Sequence, residues 1–351
     1  MLSDPVGLVW PLAIALATFG VSAAATYALS RELVPFLRIL DHPNARSLHA
    51  TPVPRTGGVA VTIAIAVGLF LAEIAVGLPP DTVWLFAAAC PVAIVSLIDD
   101  WRGVPVRARL ATQLATAVLL LVAGLGWTGP WLPGNSLTPP AWLAPLLMVL
   151  FVVWMINLYN FMDGMDGLAG GMAVFGFGAL ALLGWRAGNA PYLLVNAIVC
   201  ASALGFLTGN FPPARIFLGD LGSALIGLLA AMMILWGTRA GVIALWTGAL
   251  AFSPFIVDAT WTLLGRAARG ERLWEAHRSH HYQRLVLAGW SRRRVLTRVY
   301  PLMAAAAASA VAAPRLPSRE QWMLLAGWAV IYWLIHLRVE HTARAANGVG
   351  P

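Results

Sequence analysis

The chain has 351 residues, of which 60% are hydrophobic and only 11% are charged. Soluble globular proteins carry roughly twice that share of charged residues, so the composition excludes an ordinary soluble domain. The formal net charge is +8, and arginine accounts for all 23 basic residues. Because the chain has no lysine, a Schiff-base mechanism and a Walker-type phosphate loop are excluded as well.

Long uncharged stretches recur along the whole chain, each close to the roughly 20 residues that a helix needs to cross a bilayer. The sequence therefore predicts an all-α, multi-pass membrane protein that forms a single domain over residues 1–351. No internal repeat is evident. The pattern predicts about eleven transmembrane helices, in chain order 8–29, 58–78, 82–98, 110–126, 141–159, 170–185, 192–209, 221–236, 241–264, 300–313 and 320–338.

The arginines are distributed very unevenly between the two sides of these spans. Nineteen of them follow odd-numbered spans and only four follow even-numbered spans. Because positively charged loops stay in the cytoplasm, we expect the N-terminus outside and the C-terminus in the cytoplasm. The same excess predicts contacts with anionic membrane lipids and gives no indication of nucleic-acid binding. The predicted cytoplasmic loops, which would form the active face, are 30–57, 99–109, 160–169, 210–220 and 265–299.

Acidic and amide side chains are concentrated in three of these loops. Asp99 and Asp100 lie in SLIDDWRGVPVRARL, and Asp220 lies in GNFPPARIFLGDLGSALIG. NLYNFMDGMDGLAGG, residues 157–171, places two asparagines and two aspartates at three-residue intervals. Each motif also has a simpler interpretation: acids at the membrane interface, an N-cap for the eighth span, and turn or cap residues. Their common side of the membrane favours a shared site.

The residue types suit a divalent cation and a proton acceptor. Mg²⁺ prefers oxygen ligands, and proteins usually hold it with one or two carboxylates together with substrate phosphates. An asparagine amide and an aspartate from two different loops would provide such ligands. Two nearby carboxylates raise each other's pKa, so Asp99 and Asp100 are candidates for a proton acceptor.

The asparagine and aspartate segment also predicts a break in its helix. Each helical residue turns by about 100°, so in a continuous helix Asn157 and Asp166 would point in opposite directions. We therefore expect the helix to end near residues 160–162. The chain would then fold back at Gly164 and Gly167, because glycine permits sharp turns.

The largest predicted loop contains GRAARGERLWEAHRSHHYQRLVLAGWSRRRV, residues 265–295, in which three of the seven histidines fall within five positions. A histidine cluster suggests zinc, but no cysteine or nearby acidic pattern completes a structural zinc site. Imidazole and guanidinium groups are suited to gripping a phosphate or diphosphate, whereas a patch for lipid headgroups is the simpler explanation of the arginines. The candidate residues of this histidine block are His277, Arg278, His280, His281 and Arg284.

A smaller predicted inner segment, HPNARSLHATPVPRTGGV, covers residues 42–59. It places His49, Arg55 and a pair of glycines before the second span. The segment is equally compatible with substrate contacts and with an ordinary basic loop at the start of a helix.

In this order along the chain, the motifs resemble those of the polyprenyl-phosphate N-acetylhexosamine-1-phosphate transferases. Residues 157–171 correspond to the family block Asn-x-x-Asn-x-x-Asp-Gly-x-Asp-Gly-Leu-Ala. FLGDLGS corresponds to the metal-binding Gly-Asp block, and IDDWRG corresponds to the aspartate-rich block. PFIVDATWTLLGRAARG, which contains Asp258, is also similar to the family. The resemblance extends from about Arg46 to Val295.

The resemblance implies a Mg²⁺-dependent enzyme of the bacterial inner membrane, with Mn²⁺ as a substitute metal and with the site facing the cytoplasm. Such an enzyme transfers an N-acetylhexosamine 1-phosphate from a UDP-sugar to undecaprenyl phosphate and releases UMP, as the first membrane step of a cell-surface polysaccharide such as the O-antigen. A homodimer is compatible with this class. The implied roles are catalysis at the lipid phosphate for Asp99 and Asp100; metal binding for Asn160 and Asp220; nucleotide binding for Asp166, Asp163 and Asn157; diphosphate and sugar binding for His277, Arg278, His280, His281 and Arg284; and substrate contacts for His49 and Arg55.

Two positions depart from the family pattern. Gly103 stands where the aspartate-rich block commonly has a polar residue, and HRSHHYQRL stands where O-antigen-initiating enzymes commonly have His-x-His-His. The histidine block looks most like the branch that acts on GlcNAc, QuiNAc or FucNAc, and it differs from the three consecutive histidines of the peptidoglycan translocase. The alternative function is a polytopic transporter or lipid flippase. Asp258, inside the ninth predicted span, is the nearest indication of that alternative, since the other motif acids lie at helix ends.

Overall fold

The structure is a computed structural model that describes residues 6–41, 52–80, 82–126, 131–134, 139–272 and 277–346. Over these ranges the chain is almost entirely α-helical, which confirms the predicted fold class. The described helices are α1 Val6–Ser30, α2 Gly57–Val76, α3 Thr82–Arg102, α4 Val106–Val122, α5 Ala144–Met162, α6 Leu168–Arg186, α7 Ala190–Asn210, α8 Gly219–Arg239, α9 Leu245–Ala251, α10 Ser253–Ala268, α11 His281–Leu287, α12 Arg292–Ala312 and α13 Ser318–Ala346. The described strands, β1 Leu40–Asp41 and β2 Val53–Pro54, form one antiparallel pair.

Eight helices of the described chain are long and apolar enough to cross a membrane, namely α1, α2, α5, α6, α7, α8, α12 and α13. The predicted span 241–264 is broken: α9 and α10 together would form a ninth crossing, but they meet at a bend of 86°. Pro254 in the first turn of α10 explains the break, because proline lacks the backbone N–H that a continuing helix needs. The helices at the two remaining predicted spans are α3 and the 17-residue α4. The total of eleven crossings and their orientation stay predictions.

Two helices near the C-terminus are longer than predicted. α12 begins at Arg292 rather than at residue 300, because the side chain of Ser291 accepts a hydrogen bond from the backbone of Arg294 and caps the helix. The arginine-rich segment therefore belongs to the first turn of α12. α13 continues to Ala346, eight residues beyond the predicted span 320–338. These extensions carry polar side chains of both helices toward the other motif residues.

α8 lies at the centre of the bundle and is almost completely buried, whereas α1 and α13 expose most of their apolar surface. Glycines let two neighbours approach it closely. A Cβ at Gly58 of α2 would collide with the backbone of Gly222 in α8. A Cβ at Gly227 of α8 would lie 2.5 Å from the carbonyl oxygen of Met155 in α5. Such contacts are typical of packed transmembrane helices, and they fix the first turns of α8 beside α2 and α5.

Candidate active site

A cavity of about 1230 Å³ lies where the ends of α3 and α5 meet the starts of α4 and α8. Its lining includes residues from all five predicted inner loops. The predicted carboxylate and amide residues that line it are Asp99, Asp100, Asn157, Asn160, Asp163, Asp166 and Asp220. Arg55, His277 and His280 line it as well, whereas His49 lies outside the described residues. Motifs that are far apart in the sequence thus share one cavity.

Asp100, at the end of α3, holds the first turn of α8. Its Oδ1 accepts the backbone N–H of Asp220 at 2.9 Å, and its Oδ2 accepts that of Leu221 at 2.9 Å. These N–H groups have no partner within their own helix, so the carboxylate of α3 caps α8 from outside. The interpretation of Asp220 as the N-cap of this span is therefore wrong. Asp100 supplies the acceptor, and Asp220 lies inside the first turn.

The loop that precedes α8 is built around this contact. Gly219 has a φ of +75°, and a Cβ at this position would collide with the backbone carbonyl of Arg55 and lie 2.9 Å from Oδ2 of Asp100. Arg55 donates a hydrogen bond to the backbone carbonyl of Asp100, and its Nε lies 3.6 Å from Oδ1 of the same residue. Arg55 therefore contacts Asp100 directly and supports the start of α8.

Asp99 makes a different set of contacts from its neighbour. Its Oδ1 accepts the backbone N–H of Val104 at 2.6 Å, and its Oδ2 pairs with Arg109 at 2.7 Å. Burial first and the charge of Asp220 second raise the pKa of Asp100 to about 7. The two adjacent carboxylates thus have separate partners, and Asp99 is not the source of the raised pKa of Asp100.

Asn160 and Asp220, the two predicted metal ligands, are in direct contact. Asn160 lies in the last turn of α5 and donates hydrogen bonds to Oδ1 of Asp220 and, at 3.1 Å, to the hydroxyl of Ser223. Asp163 follows α5 and is half-buried. Burial, and next the charges of Asp220 and Asp100, raise its pKa well above the ordinary value. We call Asp99, Asp100, Asp163 and Asp220 the carboxylate cluster.

The donor set of the carboxylate cluster suits a cation that needs few protein ligands. Among the described residues, no three histidine, cysteine, aspartate or glutamate side chains lie close enough together to hold a metal ion. Mg²⁺ fits nonetheless, because it commonly takes one or two protein oxygens and completes its shell with water and substrate phosphates. The side-chain oxygens of Asn160 and Asp220 would provide two such ligands. In the structure the amide nitrogen of Asn160 faces Asp220, so the amide would have to turn by about 180° to present its oxygen to a metal.

The turn between α5 and α6 begins where predicted and uses one of the two predicted glycines, Gly167. α5 ends at Met162, and Gly167 with a φ of +76° precedes α6, so the predicted helix end near 160–162 is confirmed. Asp166, in this turn, is buried. Its Oδ2 accepts the backbone N–H of Ala214 at 3.1 Å and pairs with Arg292 at 2.9 Å. Arg292 also lines the cavity. Arg292 was not among the predicted site residues, because the candidate arginines of this segment were taken only from the histidine block.

Gly164 is needed for close approach rather than for the turn, since its φ lies outside the left-handed region. A Cβ at Gly164 would collide with the hydroxyl of Tyr282. That hydroxyl donates to the backbone carbonyl of Phe161 at 3.2 Å. The α5–α6 turn therefore packs against Tyr282 and supports the segment that contains the histidines.

The histidine block is divided between two faces. His277, His280 and the unpredicted Gln283 line the cavity, whereas His281 and Arg284 point toward α13. Arg278 is half-buried and does not belong to the described lining of the cavity. Burial first, and then the charge of His280, lower the pKa of His277 to about 4. His277 is therefore a neutral hydrogen-bonding group at neutral pH.

Asp258 and Asn157 have structural partners of their own. Oδ1 of Asp258 in α10 accepts the backbone N–H of His281 at 3.0 Å and lies 3.0 Å from Nδ1 of the same residue. It lies 3.5 Å from Nδ1 of His280. Asn157 donates to Oε1 of Gln113 at 2.6 Å and thereby links α5 to α4. Both side chains connect elements that line the cavity.

The fold and the cavity define a multi-pass membrane protein with carboxylates, amides and histidines at one end of its bundle. The sequence matches the model of glycosyl transferase family 4 over residues 82–238. It is 28% identical to a probable undecaprenyl-phosphate N-acetylglucosaminyl 1-phosphate transferase of Bacillus subtilis, over 74% of this chain and 73% of that protein. It is 30% identical to the decaprenyl-phosphate N-acetylglucosaminephosphotransferase of Mycolicibacterium smegmatis, over 81% of this chain and 79% of that protein. It is 31% identical to a phospho-N-acetylmuramoyl-pentapeptide-transferase of a Synechococcus species, over 82% of this chain and 88% of that protein.

The chain therefore belongs to the superfamily of polyprenyl-phosphate N-acetylhexosamine-1-phosphate transferases, as its motifs indicated. Sequence identity over the aligned residues is similar for relatives of two branches, so it does not separate GlcNAc-type from peptidoglycan-type enzymes.

Proposed function

We propose that the protein transfers an N-acetylhexosamine 1-phosphate from a UDP-sugar to undecaprenyl phosphate, giving undecaprenyl-diphospho-sugar and UMP. The contact between Asn160 and Asp220 is the observation that carries the proposal. It joins the end of α5 to the start of α8 at a cavity that has both an apolar wall and a polar, partly cationic end. A polyprenyl phosphate and a sugar nucleotide together require those two environments.

The apolar wall of the cavity suits the acceptor lipid. Val92, Leu110, Leu150 and Leu263 line it from α3, α4, α5 and α10 respectively. A prenyl chain on this wall would bring its phosphate to the ends of the same helices, where Arg109 also lines the cavity. The contacts support a division of labour between the two adjacent aspartates. Asp99 orients Arg109 toward the acceptor, and Asp100 holds α8.

A second group of lining residues suits the donor nucleotide. Asp166 is the proposed acceptor for the uracil N–H, and its partner Arg292 is a cation at the same position. Asp163 and Asn157 complete the proposed nucleotide side. Within the histidine block, His277 and His280 are suited to donate hydrogen bonds to the diphosphate and sugar. His281, Arg284 and Arg278 would act less directly, because they do not line the described cavity.

The proposed metal is Mg²⁺, with Mn²⁺ as a substitute, held by Asn160 and Asp220. When bound, it neutralises charge on the donor diphosphate and on the departing UMP. In the reaction, an oxygen of the lipid phosphate forms a bond to the sugar-linked phosphorus. The bond between that phosphorus and the UMP oxygen breaks, and UMP leaves with the electron pair.

The proposed location is the inner membrane of a bacterium, with the cavity open to the cytoplasm, as the arginine distribution predicts. A reporter fused after Gly270 should read cytoplasmic, and one fused near Gly188 should read external. The opposite result at either fusion would contradict the predicted orientation. The proposed pathway is the first membrane step of a cell-surface polysaccharide such as the O-antigen, with GlcNAc, QuiNAc or FucNAc as the sugar.

The test is UMP release by purified protein supplied with undecaprenyl phosphate, Mg²⁺ and a panel of UDP-sugars. The expected result is UMP release that needs both substrates and the metal and that is fastest with one N-acetylated amino sugar. A Glu320→Ala variant, at the exposed start of α13, serves as the control and should match the wild type. Movement of lipid or sugar across vesicles without UMP release would instead support a transporter or flippase.

A further inference from the structure

The C-terminal helix α13 contacts the histidine block at two points. Nε2 of His281 lies 3.0 Å from Nδ1 of His336, and Arg284 donates a hydrogen bond to the carboxylate of Glu340. His336 and Glu340 are four residues apart and share one face of α13. His281 and Arg284 are three residues apart and share one face of α11. The two helices therefore meet through matched pairs of side chains.

His281 is bonded on both sides of its ring. Its Nδ1 lies 3.0 Å from the carboxylate of Asp258, which only accepts hydrogen bonds, so Nδ1 carries the proton. In the neutral ring, Nε2 then accepts a hydrogen bond from Nδ1–H of His336. The ring of His336 is in turn packed 4.7 Å from that of Trp261. His281 is thus part of a chain of contacts that runs from α10 to α13.

The residues on the other side of the same segment face the cavity. His280 and Gln283, each adjacent to one of the two anchored residues, line it. α11 has only seven residues, and a helix of that length is not stable by itself in solution. Its position therefore depends on tertiary contacts: Tyr282 holds it to the α5–α6 turn, Asp258 of α10 holds its first residue, and α13 holds its opposite face. A shift of α13 would move His280 and Gln283 with respect to the cavity.

We propose that His336 and Glu340 are positioning residues, which hold α11 so that His280 and Gln283 face the cavity in a productive orientation. A productive orientation is one that supports the proposed transfer reaction, so this part of the inference rests on the proposed function. Neither residue belongs to a motif of the sequence, and both lie well beyond residue 238, where the family match ends. α13 is then a functional part of the site as well as a membrane helix.

The first test compares His336→Phe with His341→Phe. Both replace a histidine of α13 by phenylalanine, but His341 is exposed. His336→Phe keeps an aromatic ring against Trp261 and removes the hydrogen bond to His281. We expect kcat/KM for the UDP-sugar to fall roughly five- to thirtyfold, with an unchanged KM for undecaprenyl phosphate, while His341→Phe stays within about twofold of wild type. Equal kinetics in the two variants would overturn the proposal.

A double substitution separates positioning from general destabilisation. If His336 acts through His280, the loss caused by His336→Phe should shrink to within about twofold in a His280→Ala background. A loss of the same size in both backgrounds would mean that His336 does not act through His280. Glu340→Gln keeps the shape of the side chain and removes the charge, and it should give a smaller decrease of the same kind.

A measurement without substrate keeps the inference independent of the proposed function. Amide hydrogen exchange over residues 281–287 should be faster in His336→Phe than in His341→Phe, because α11 would lose one of its tertiary supports. Identical exchange would overturn the proposal. If wild-type protein releases no UMP with any UDP-sugar, the proposed function fails, and the exchange result still decides whether α13 positions the histidine block.

Discussion

The carboxylate cluster and the histidine block reach the same cavity by different structural means. Asp100, in the last turn of α3, accepts the backbone N–H groups of Asp220 and Leu221 at the start of the long, buried helix α8, and the carboxylate of Asp220 accepts from the amide of Asn160. His280 lies beside a helix of seven residues, whose support comes from side chains of α10 and α13 and from the α5–α6 turn. Catalytic activity should therefore respond most strongly to changes of charge in the carboxylate cluster. In the histidine block, activity should respond most strongly to changes in the position of the side chains.

The largest effect is expected at the cluster. Asp220→Ala removes the carboxylate that Asn160 contacts and that would hold the metal. We expect transfer to fall by on the order of a thousandfold or more, with the folded protein retained in the membrane. UMP release measures the transfer activity, and size-exclusion chromatography in detergent shows whether the variant is folded. Near-normal turnover in a correctly folded variant would remove Asp220 from the metal site.

A smaller effect is expected at the nucleotide side. Asp166→Asn keeps the shape of the side chain, removes the charge that pairs with Arg292, and replaces one acceptor oxygen by a donor. Loss of a charge-assisted hydrogen bond is worth roughly 1.5–3 kcal/mol, so UDP affinity should fall about ten- to a hundredfold. Calorimetric titration with UDP measures this change. An unchanged affinity would show that Asp166 only holds Ala214 and Arg292 in place.

Asp100→Asn distinguishes positioning from direct chemistry within the cluster. The asparagine keeps one acceptor, but its amide group would face a backbone N–H at the start of α8. We expect about a tenfold loss of kcat and a loss of about 0.5–2 kcal/mol in the free energy of unfolding. The control is Asn189→Ala, which removes the cap of α7. The control should lose similar stability and keep its activity, whereas a parallel loss of activity would make the Asp100 effect one of stability alone.

The smallest effect is expected at His277. Because its pKa is lowered to about 4, it is neutral near pH 7 and contributes no charge. Because the folded state favours the neutral form of His277, its contribution to the free energy of unfolding is complete above about pH 6.5. The contribution is lost as the pH falls toward 4, since the unfolded state then binds a proton that the folded state does not. His277→Asn keeps a neutral donor and should lower kcat/KM by about threefold or less, by the same factor at pH 6 and at pH 8. A ratio that changes around pH 6.5 would indicate a cationic role.

The same contrast explains how far the sequence predicts the molecule. Apolar length predicts the helices, and the angular argument on Asn157 and Asp166 predicts where α5 ends. The predicted spans also place Asn160 and Asp220 on the same side of the membrane, because each residue lies at the end of a predicted span. These features depend on local spacing, and local spacing is what a single sequence displays.

The contacts between distant segments were not predictable in this way. The Asp100 carboxylate caps a helix that begins some 120 positions later, and Arg292 pairs with Asp166 across 126 positions. The adjacent pair Asp99 and Asp100 looked like a coupled pair of acids, yet packing gives each its own partners. Gln283 and the anchors on α13 carry no motif at all, because a positioning contact needs only a suitable side chain at a suitable place.

The central claim is that the bond between the two donor phosphates is broken and that the sugar keeps its phosphate. A UDP-N-acetylhexosamine labelled at the β-phosphate tests this directly with purified protein, undecaprenyl phosphate and Mg²⁺. The account predicts that the label enters the lipid product together with the sugar and that one UMP forms for each labelled lipid. Label that stays in UDP while the sugar moves to the lipid, or transport of lipid without UMP, would contradict it.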